Sequence, residues 1–329
     1  MPHNVCPSTL TPGDGTFSRS AERNLFMGKK VSPLLSFDSP FRQNGNVSWE
    51  EFIGGRLSIS IAGVQPKISL LLDGLKLRPT LDGERGTFIL KPIPSFRNGH
   101  LAPANEHLTM QIASQVYGIP VAKNSVIFFK NGEIAYLTKR FDVGPNGQKI
   151  HMEDFASLSN KTEKADGSDY KYKGSYEVMG EVIKQVAPAA FPILESFFRL
   201  VLFNYVFSNG DAHLKNFSLL RSPHGDLIFS PAYDLLNTSF HINDEYFAMS
   251  DGLLKPGDYH NSGRPGRKDF LLLASRLGLV TARIKRVLDA FATNQPDVEK
   301  LISRSFLPKN AKRTYLAKYQ LRRKSLEVK

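Results

Sequence analysis

The stretch NGDAHLKNF, residues 209–217, sets a carboxylate, Asp211, and an amide, Asn216, five positions apart directly after a long apolar run. Farther along, SPAYDLL puts a second carboxylate, Asp234, at the end of a short apolar strand. One acid to orient and deprotonate a hydroxyl, with an amide and a second acid to hold a divalent cation over phosphates, is the set that phosphoryl transfer needs. Hard oxygen donors of this kind suit Mg2+. Taken singly, Asp-x-His-x-x-Asn is more often an Asx-type turn around a buried histidine. Two further residues shift the balance: FILKP carries Lys91 on a strand, and Glu106 begins the following helix, so a lysine–glutamate pair is available to clamp the α and β phosphates. His213 reads as a loop-fixing hydrogen-bonder, because no other histidine or cysteine lies near it in sequence to complete a metal set.

These residues need rigid elements behind them. From residue 57 to about 143 the pattern is strand-rich: LSISIAGVQPKISLLLDG reads as two strands around a turn at Gly63 to Pro66, and TFILKP as a short strand stopped by Pro92. Leu108, Ile112 and Val116 form a helical stripe that Gly118 ends. A second hairpin, NSVIFFKNGEIAYLTKRF, carries Asn131-Gly132, a pair suited to a type I′ turn. After HMEDF the composition changes. The polar tract 159–174 reads as a mobile loop, and helical periodicity then dominates at 175–187, 190–208, 268–277, 281–293 and 296–306. Residues 1–56 show little periodicity and read as a lead-in to the sheet.

The 41% hydrophobic content allows one large core or two smaller ones, and two lobes are the natural division at this length. A single cysteine, Cys6, excludes an internal disulfide framework and a cysteine-based zinc site, which fits a reducing, cytoplasmic setting. The N-terminus lacks a basic start followed by an apolar run, so no secretory signal is expected. The most apolar segment, 190–207, is broken by Glu195, Arg199 and Asn204, so it reads as a buried core helix and no membrane association is expected. The net charge of +12 favours partners bearing phosphate, although solvated surface lysines explain charge alone more simply. The basic C-terminal run, 308–329, reads as a docked helix whose apolar face holds Tyr315, Leu316 and Tyr319 and whose outer face is basic.

The strings SIAGVQPK (60–67), FILKP (88–92), NEHLTM (105–110), KRFD (139–142), MEDF (152–155), NGDAHLKNFSLL (209–220) and SPAYDLL (230–236) resemble the HipA-like serine/threonine kinases of bacterial toxin–antitoxin systems. They cover most of residues 57 to 240, and GDAHLKNFS with the upstream GVQPK is highly specific. The resemblance implies an α+β, two-lobed protein-kinase-like fold with a sheet-rich N-lobe, a mainly helical C-lobe, and ATP with Mg2+. It implies Asp211 as catalytic base, Asn216 and Asp234 as metal ligands, and Lys91 with Glu106 as the phosphate-binding pair. Nucleotide contacts are implied for the loop residues Ser60, Ala62, Gly63 and Val64, for the hinge Glu153, Asp154 and Phe155, and for His213 and Lys215. Ser60 matches a loop serine of the kind that is autophosphorylated, where added negative charge beside ATP would lower activity. This loop has one glycine, Gly63, where ordinary protein kinases carry several.

Reaching that loop by residue 60, the chain looks like the short-toxin subgroup, HipT, of tripartite HipBST systems. CPSTLTP and KKVSPLLSF are weakly similar to the same subgroup. The implied partners are a small HipS-like protein and a HipB-like helix-turn-helix antitoxin, with DNA met only through the antitoxin. The implied substrate is an aminoacyl-tRNA synthetase, and the implied outcome is growth inhibition. The corresponding domain plan is a lead-in at 1–56 packed on the N-lobe, an N-lobe with nucleotide loop and hinge at 57–155, and a C-lobe at 156–329. Two other readings stand beside it: a small-molecule kinase of the choline or aminoglycoside phosphotransferase type, and a binding module with a decayed catalytic cleft.

Overall fold

The computed structural model describes residues 4–39, 66–144, 147–222, 224–243, 245–255 and 264–328. It comprises two units. The first holds the described parts of Met1–Ile112, Ala122–Lys149 and Lys300–Pro308; the second holds those of Ala113–Val121, Ile150–Glu299 and Lys309–Lys329.

The first unit opens with helix α1 (Arg19–Phe26), capped by the Ser18 side chain, which accepts from the Ala21 N–H, and ended by Met27 in the left-handed region. Its face delivers Leu25 and Phe26 into a core with Phe88, Leu90, Ile127 and Phe129. The stretch read as a lead-in without periodicity thus supplies part of the hydrophobic core, since eight residues of helix are too few to stand out from the Gly- and Pro-rich chain around them.

Strands β1 (Ile68–Asp73), β2 (Lys76–Pro79) and β3 (Phe88–Lys91) come before helix α2 (Ala102–Gln115), and β4 (Asn124–Phe128) and β5 (Ile134–Lys139) follow it. They form an antiparallel sheet in the order β2-β1-β3-β5-β4. Alternation along β1 buries Ile68 and Leu70, and along β3 it buries Phe88 and Leu90. The β4–β5 connection differs from the expected type I′ turn: of Asn131 and Gly132 only Gly132 has positive φ, +84°. The Gly132 N–H donates to Phe129 O, so the loop is a type I turn closed by a left-handed glycine.

The second unit begins with the three-residue strand β6 (Met152–Asp154) and the single-turn helix α3 (Phe155–Leu158). Helix α4 (Glu163–Asp166) and a 3-10 turn at Tyr170–Tyr172 follow, so the tract read as a mobile loop has local structure. Helices α5 (Tyr176–Val186) and α6 (Ala190–Val206) pack on one another, and β7 (Ser218–Arg221) and β8 (Leu227–Phe229) join β6 in a small antiparallel sheet. The remainder is helical: α7 (Arg267–Arg276), α8 (Thr281–Ala292), α9 (Pro296–Arg304) and α10 (Lys309–Lys324). On α10, Tyr315 and Tyr319 are buried, and Tyr319 stacks on Phe207 with ring centroids 5.1 Å apart. Arg322, one of the basic residues of this run, is buried, its guanidinium 4.1 Å from the Tyr246 ring centroid. An arginine satisfied by aromatic faces can enter a core that a bare charge could not. Among the described residues, no helix is long and apolar enough to cross a membrane.

Candidate functional site

In the first unit, β3 ends with Lys91 and α2 carries Glu106 in its second turn. Their side chains meet as a buried ion pair, Nζ to Oε1 2.8 Å, with the ammonium 5.3 Å from the Tyr136 ring centroid. Both charges have left water, and only close pairing makes that tolerable. One position along α2, His107 is fully buried with Nε2 2.9 Å from Ser8 O, and burial lowers its pKa from 6.5 to about 4. Ser60, Ala62, Gly63 and Val64 lie outside the described residues, as does the strand expected just before them.

In the second unit, α6 runs out at Val206 and the chain turns through Ser208, whose φ is +55°, into Gly210 and Asp211. The turn is held by neutral side chains. Asn209 Nδ2 donates to Asn204 Oδ1 at 2.9 Å and to the Asp234 carbonyl at 3.3 Å. The Thr238 hydroxyl accepts from the Gly210 N–H at 2.8 Å and donates to Ser208 O at 3.1 Å. A Cβ on Gly210 would lie 2.9 Å from the Glu245 carbonyl oxygen, so this backbone approach admits only glycine without a shift. Asn204, Asn209 and Thr238 carry no signal as functional residues in sequence; their part is to fix the backbone on either side of Asp211.

After Asp211 the chain makes a 3-10 turn at Leu214–Asn216. Asn216 Oδ1 accepts from the His213 N–H at 3.1 Å, and His213 Nδ1 accepts from the Lys215 N–H at 3.3 Å. Burial lowers the His213 pKa to about 4, which keeps the ring neutral and able to accept that bond. The structure brings Asn216 and Asp234 together, Nδ2 to Oδ2 3.5 Å. Asp234 has φ +55°, a left-handed conformation costly for a non-glycine residue and common at functional sites. Tyr233 beside it bonds Ser218 Oγ at 2.5 Å and donates to Lys215 O at 2.9 Å. Lys215 itself is exposed, its Nζ 3.5 Å from Tyr170 Oη.

A contact absent from the sequence reading completes this site: the Tyr172 hydroxyl donates to Asp211 Oδ1 at 2.8 Å. Burial, and after it the Asp211 charge, pushes the Tyr172 phenol pKa above its ordinary value. Thirty-nine residues separate the partners, and no local pattern could have paired them.

The hinge residues are placed in the same unit. Glu153 lies on β6 opposite Leu219, with Oε1 3.1 Å from His151 Nε2. The Asp154 carboxylate caps α3 by accepting from the Ser157 N–H at 2.9 Å, Phe155 is buried, and the Phe155 N–H donates to Phe217 O at 3.1 Å. The Asp154 carboxylate and the Phe155 amide are therefore engaged within the unit.

Among the described residues no three His, Cys, Asp or Glu side chains gather as a metal set. Magnesium does not need such a cage, because it is commonly held by one or two carboxylates with substrate phosphates completing its shell. Asn216 and Asp234, adjacent hard-oxygen donors, fit that requirement, and the second lone pair of the Asn216 oxygen allows a ligand role beside its bond to His213.

A family model for the HipA-like C-terminal domain matches residues 59–298. The chain belongs to this HipA-like family. A Haemophilus influenzae protein named as a kinase is 26% identical over 267 residues, 76% of this chain and 76% of that protein. The serine/threonine-protein kinase toxin HipA of Shewanella oneidensis is 29% identical over 209 residues, 59% of this chain and 47% of the toxin. The chain thus spans about three quarters of the first relative and about half of the second. The solved HipA from a Shewanella oneidensis complex of HipA, HipB and operator DNA superposes with a TM-score of 0.59 at 23% identity, covering 82% of this chain and 63% of that one. The Helicobacter pylori proinflammatory kinase CtkA gives a TM-score of 0.50 at 14% identity over 80% of this chain and 90% of that one. At these identities the likeness shows the fold: a kinase-like α/β arrangement with a sheet-rich N-terminal part and a helical C-terminal part.

Proposed function

We propose that this HipA-like chain is an ATP-dependent serine/threonine protein kinase that acts as the toxin of a toxin–antitoxin system. The observation that carries the reading is the meeting of Asn216 with a backbone-strained Asp234 on the loop system that anchors Asp211. A structural Asx turn accounts for His213 and Asn216 but gives no reason for a second acid held there in the left-handed region. The buried Lys91–Glu106 pair of the first unit supports the same reading, a lysine held by an acid as phosphate binding requires.

In this reading Asp211 accepts the proton of a serine or threonine hydroxyl as that oxygen attacks the γ-phosphorus of ATP. Lys91, steadied by Glu106, binds the α and β phosphates. Asn216 and Asp234 hold Mg2+, which when bound neutralises phosphate charge. Ser60, Ala62, Gly63 and Val64 form the nucleotide loop, Ser60 is autophosphorylated, and Glu153 to Phe155 line the adenine. His213 and Lys215 border the nucleotide. The toxin is of the short HipT type, its substrate is an aminoacyl-tRNA synthetase, and its partners are HipS-like and HipB-like proteins. Support for the antitoxin comes from the HipB that accompanies the structurally similar HipA; the basic net charge of +12 suits a substrate that works beside tRNA.

The test is label transfer from γ-labelled ATP in a bacterial translation extract, with intact-mass and peptide mapping of the chain itself. The native chain labels a protein and acquires phosphate at Ser60. Asp211→Asn lowers both by more than about 1,000-fold, the scale expected for loss of a base acting with bound metal, and leaves the melting temperature unchanged. Label appearing in a metabolite instead of protein, or full activity in Asp211→Asn, would refute the proposal.

A further inference from the structure

We propose that Tyr172 is the positioning residue of Asp211, fixing one carboxylate oxygen so that the other is presented to the acceptor hydroxyl. This rests on the kinase reading of Asp211. A carboxylate that must take a proton from an incoming hydroxyl has two equivalent oxygens and rotates about its own bond unless something holds it. The Tyr172 hydroxyl does so, at 2.8 Å from Oδ1. Its own place is set from several sides. The ring meets His213 edge-on at 5.1 Å, Lys171 Nζ lies 4.9 Å from its centroid, and its carbonyl accepts from the Ser250 N–H at 2.8 Å. The segment before it is tied to itself: Lys161 Nζ donates to Lys173 O at 2.9 Å, and Lys173 Nζ donates to Asp166 O.

A plug that leaves when substrate arrives would have to break the edge-on ring contact, the lysine contact and the backbone bond of Tyr172 together. A fixed donor satisfies these observations. During transfer the acceptor proton passes to Asp211 Oδ2, the new oxygen–phosphorus bond forms, and the bond to the β-phosphate bridging oxygen breaks with its electron pair leaving on ADP. Tyr172 keeps its own proton throughout.

Tyr172→Phe keeps the ring and removes only the donor. With γ-labelled ATP and a bacterial translation extract, the maximal rate should fall about tenfold, the low end for a hydrogen bond to a charged group. The half-saturating ATP concentration should stay within about twofold and the melting temperature should not move, a split expected of transition-state positioning. Tyr176→Phe is the structural control: its hydroxyl donates to the Ala212 carbonyl at 2.8 Å, one residue from Asp211, without touching the acid. It should lower the melting temperature and leave the rate below the transition largely intact. An unchanged maximal rate in Tyr172→Phe, a rise in half-saturating ATP matching the lost rate, or phosphate mapped to Tyr172 of the native chain would each overturn the proposal. Absence of transfer by the native chain would overturn the kinase reading as well, which separates that failure from the others.

Discussion

The two units hold their candidate residues by opposite means. Lys91 and Glu106 sit on a regular strand and a regular helix, are both buried, and depend on each other's charge. Asp211, Asn216 and Asp234 are half-buried on irregular backbone and are placed by neutral donors and acceptors, chiefly Asn209, Thr238 and Tyr172. The contrast follows from electrostatics. A buried ion pair is stable only while both members remain, so position and folding stability are coupled there. Amide and hydroxyl contacts hold a loop without placing a charge in the core, so the acids can stay accessible for chemistry. Mutations should therefore damage stability in the first unit and rate in the second.

The largest departure should come from Lys91→Met, which leaves Glu106 without its cation. Equilibrium denaturation is expected to show a loss of about 3–5 kcal/mol together with loss of phosphoryl transfer. Adding Glu106→Leu should restore most of the stability, because an apolar pair of similar volume replaces a buried ion pair at little cost, and should not restore transfer. Recovery of activity in the double variant would remove the phosphate-binding role.

An acid titration probes the same helix. His107 is neutral in the folded chain with a pKa near 4, against 6.5 when unfolded. The unfolded state therefore binds more protons in that window, so the contribution is intact above about pH 6.5 and declines as the pH falls towards 4. The full drop is about 3 kcal/mol. His107→Phe should flatten that part of the stability profile; an equally steep profile in the variant would show that the acid sensitivity arises elsewhere.

The smallest effect is expected at Gly210. Gly210→Ala brings a methyl group to 2.9 Å from the Glu245 carbonyl oxygen, a backbone atom, so the loop or the Glu245 backbone must shift to admit it. About a tenfold fall in transfer rate, with a shift in melting temperature of only a few degrees, would match the rule that small misplacements of catalytic groups cost rate first. A variant that unfolds while keeping its rate would erase the distinction between the units.

Much of this was legible before any coordinates. Helices expected at 175–187, 190–208, 268–277, 281–293 and 296–306 appear within about two residues of their bounds, because apolar residues at helical spacing report the buried face directly. Lys91 and Glu106 could be proposed as a pair because one ends a strand and the other enters the helix after it. Tyr172 lies in a polar tract that composition describes as loop, nothing in the local sequence marks Thr238, and Arg322 stands within a basic run. Each acts on a partner remote in sequence: Tyr172 on Asp211, Thr238 on Gly210, Arg322 on Tyr246.

The sequence alone determined which chemistry was available: a spaced acid and amide, a second acid at a strand end, and a lysine and glutamate on successive elements, all held in side-chain type and local period. Tertiary structure alone decided which atoms are engaged: that Asp211 Oδ1 accepts from the Tyr172 phenol, that Asn216 reaches Asp234, and that the Asp154 carboxylate is spent on a helix cap. Local spacing constrains direction over one or two turns of chain, whereas a hydrogen bond a few ångströms long between residues tens of positions apart is set only when the whole backbone has packed.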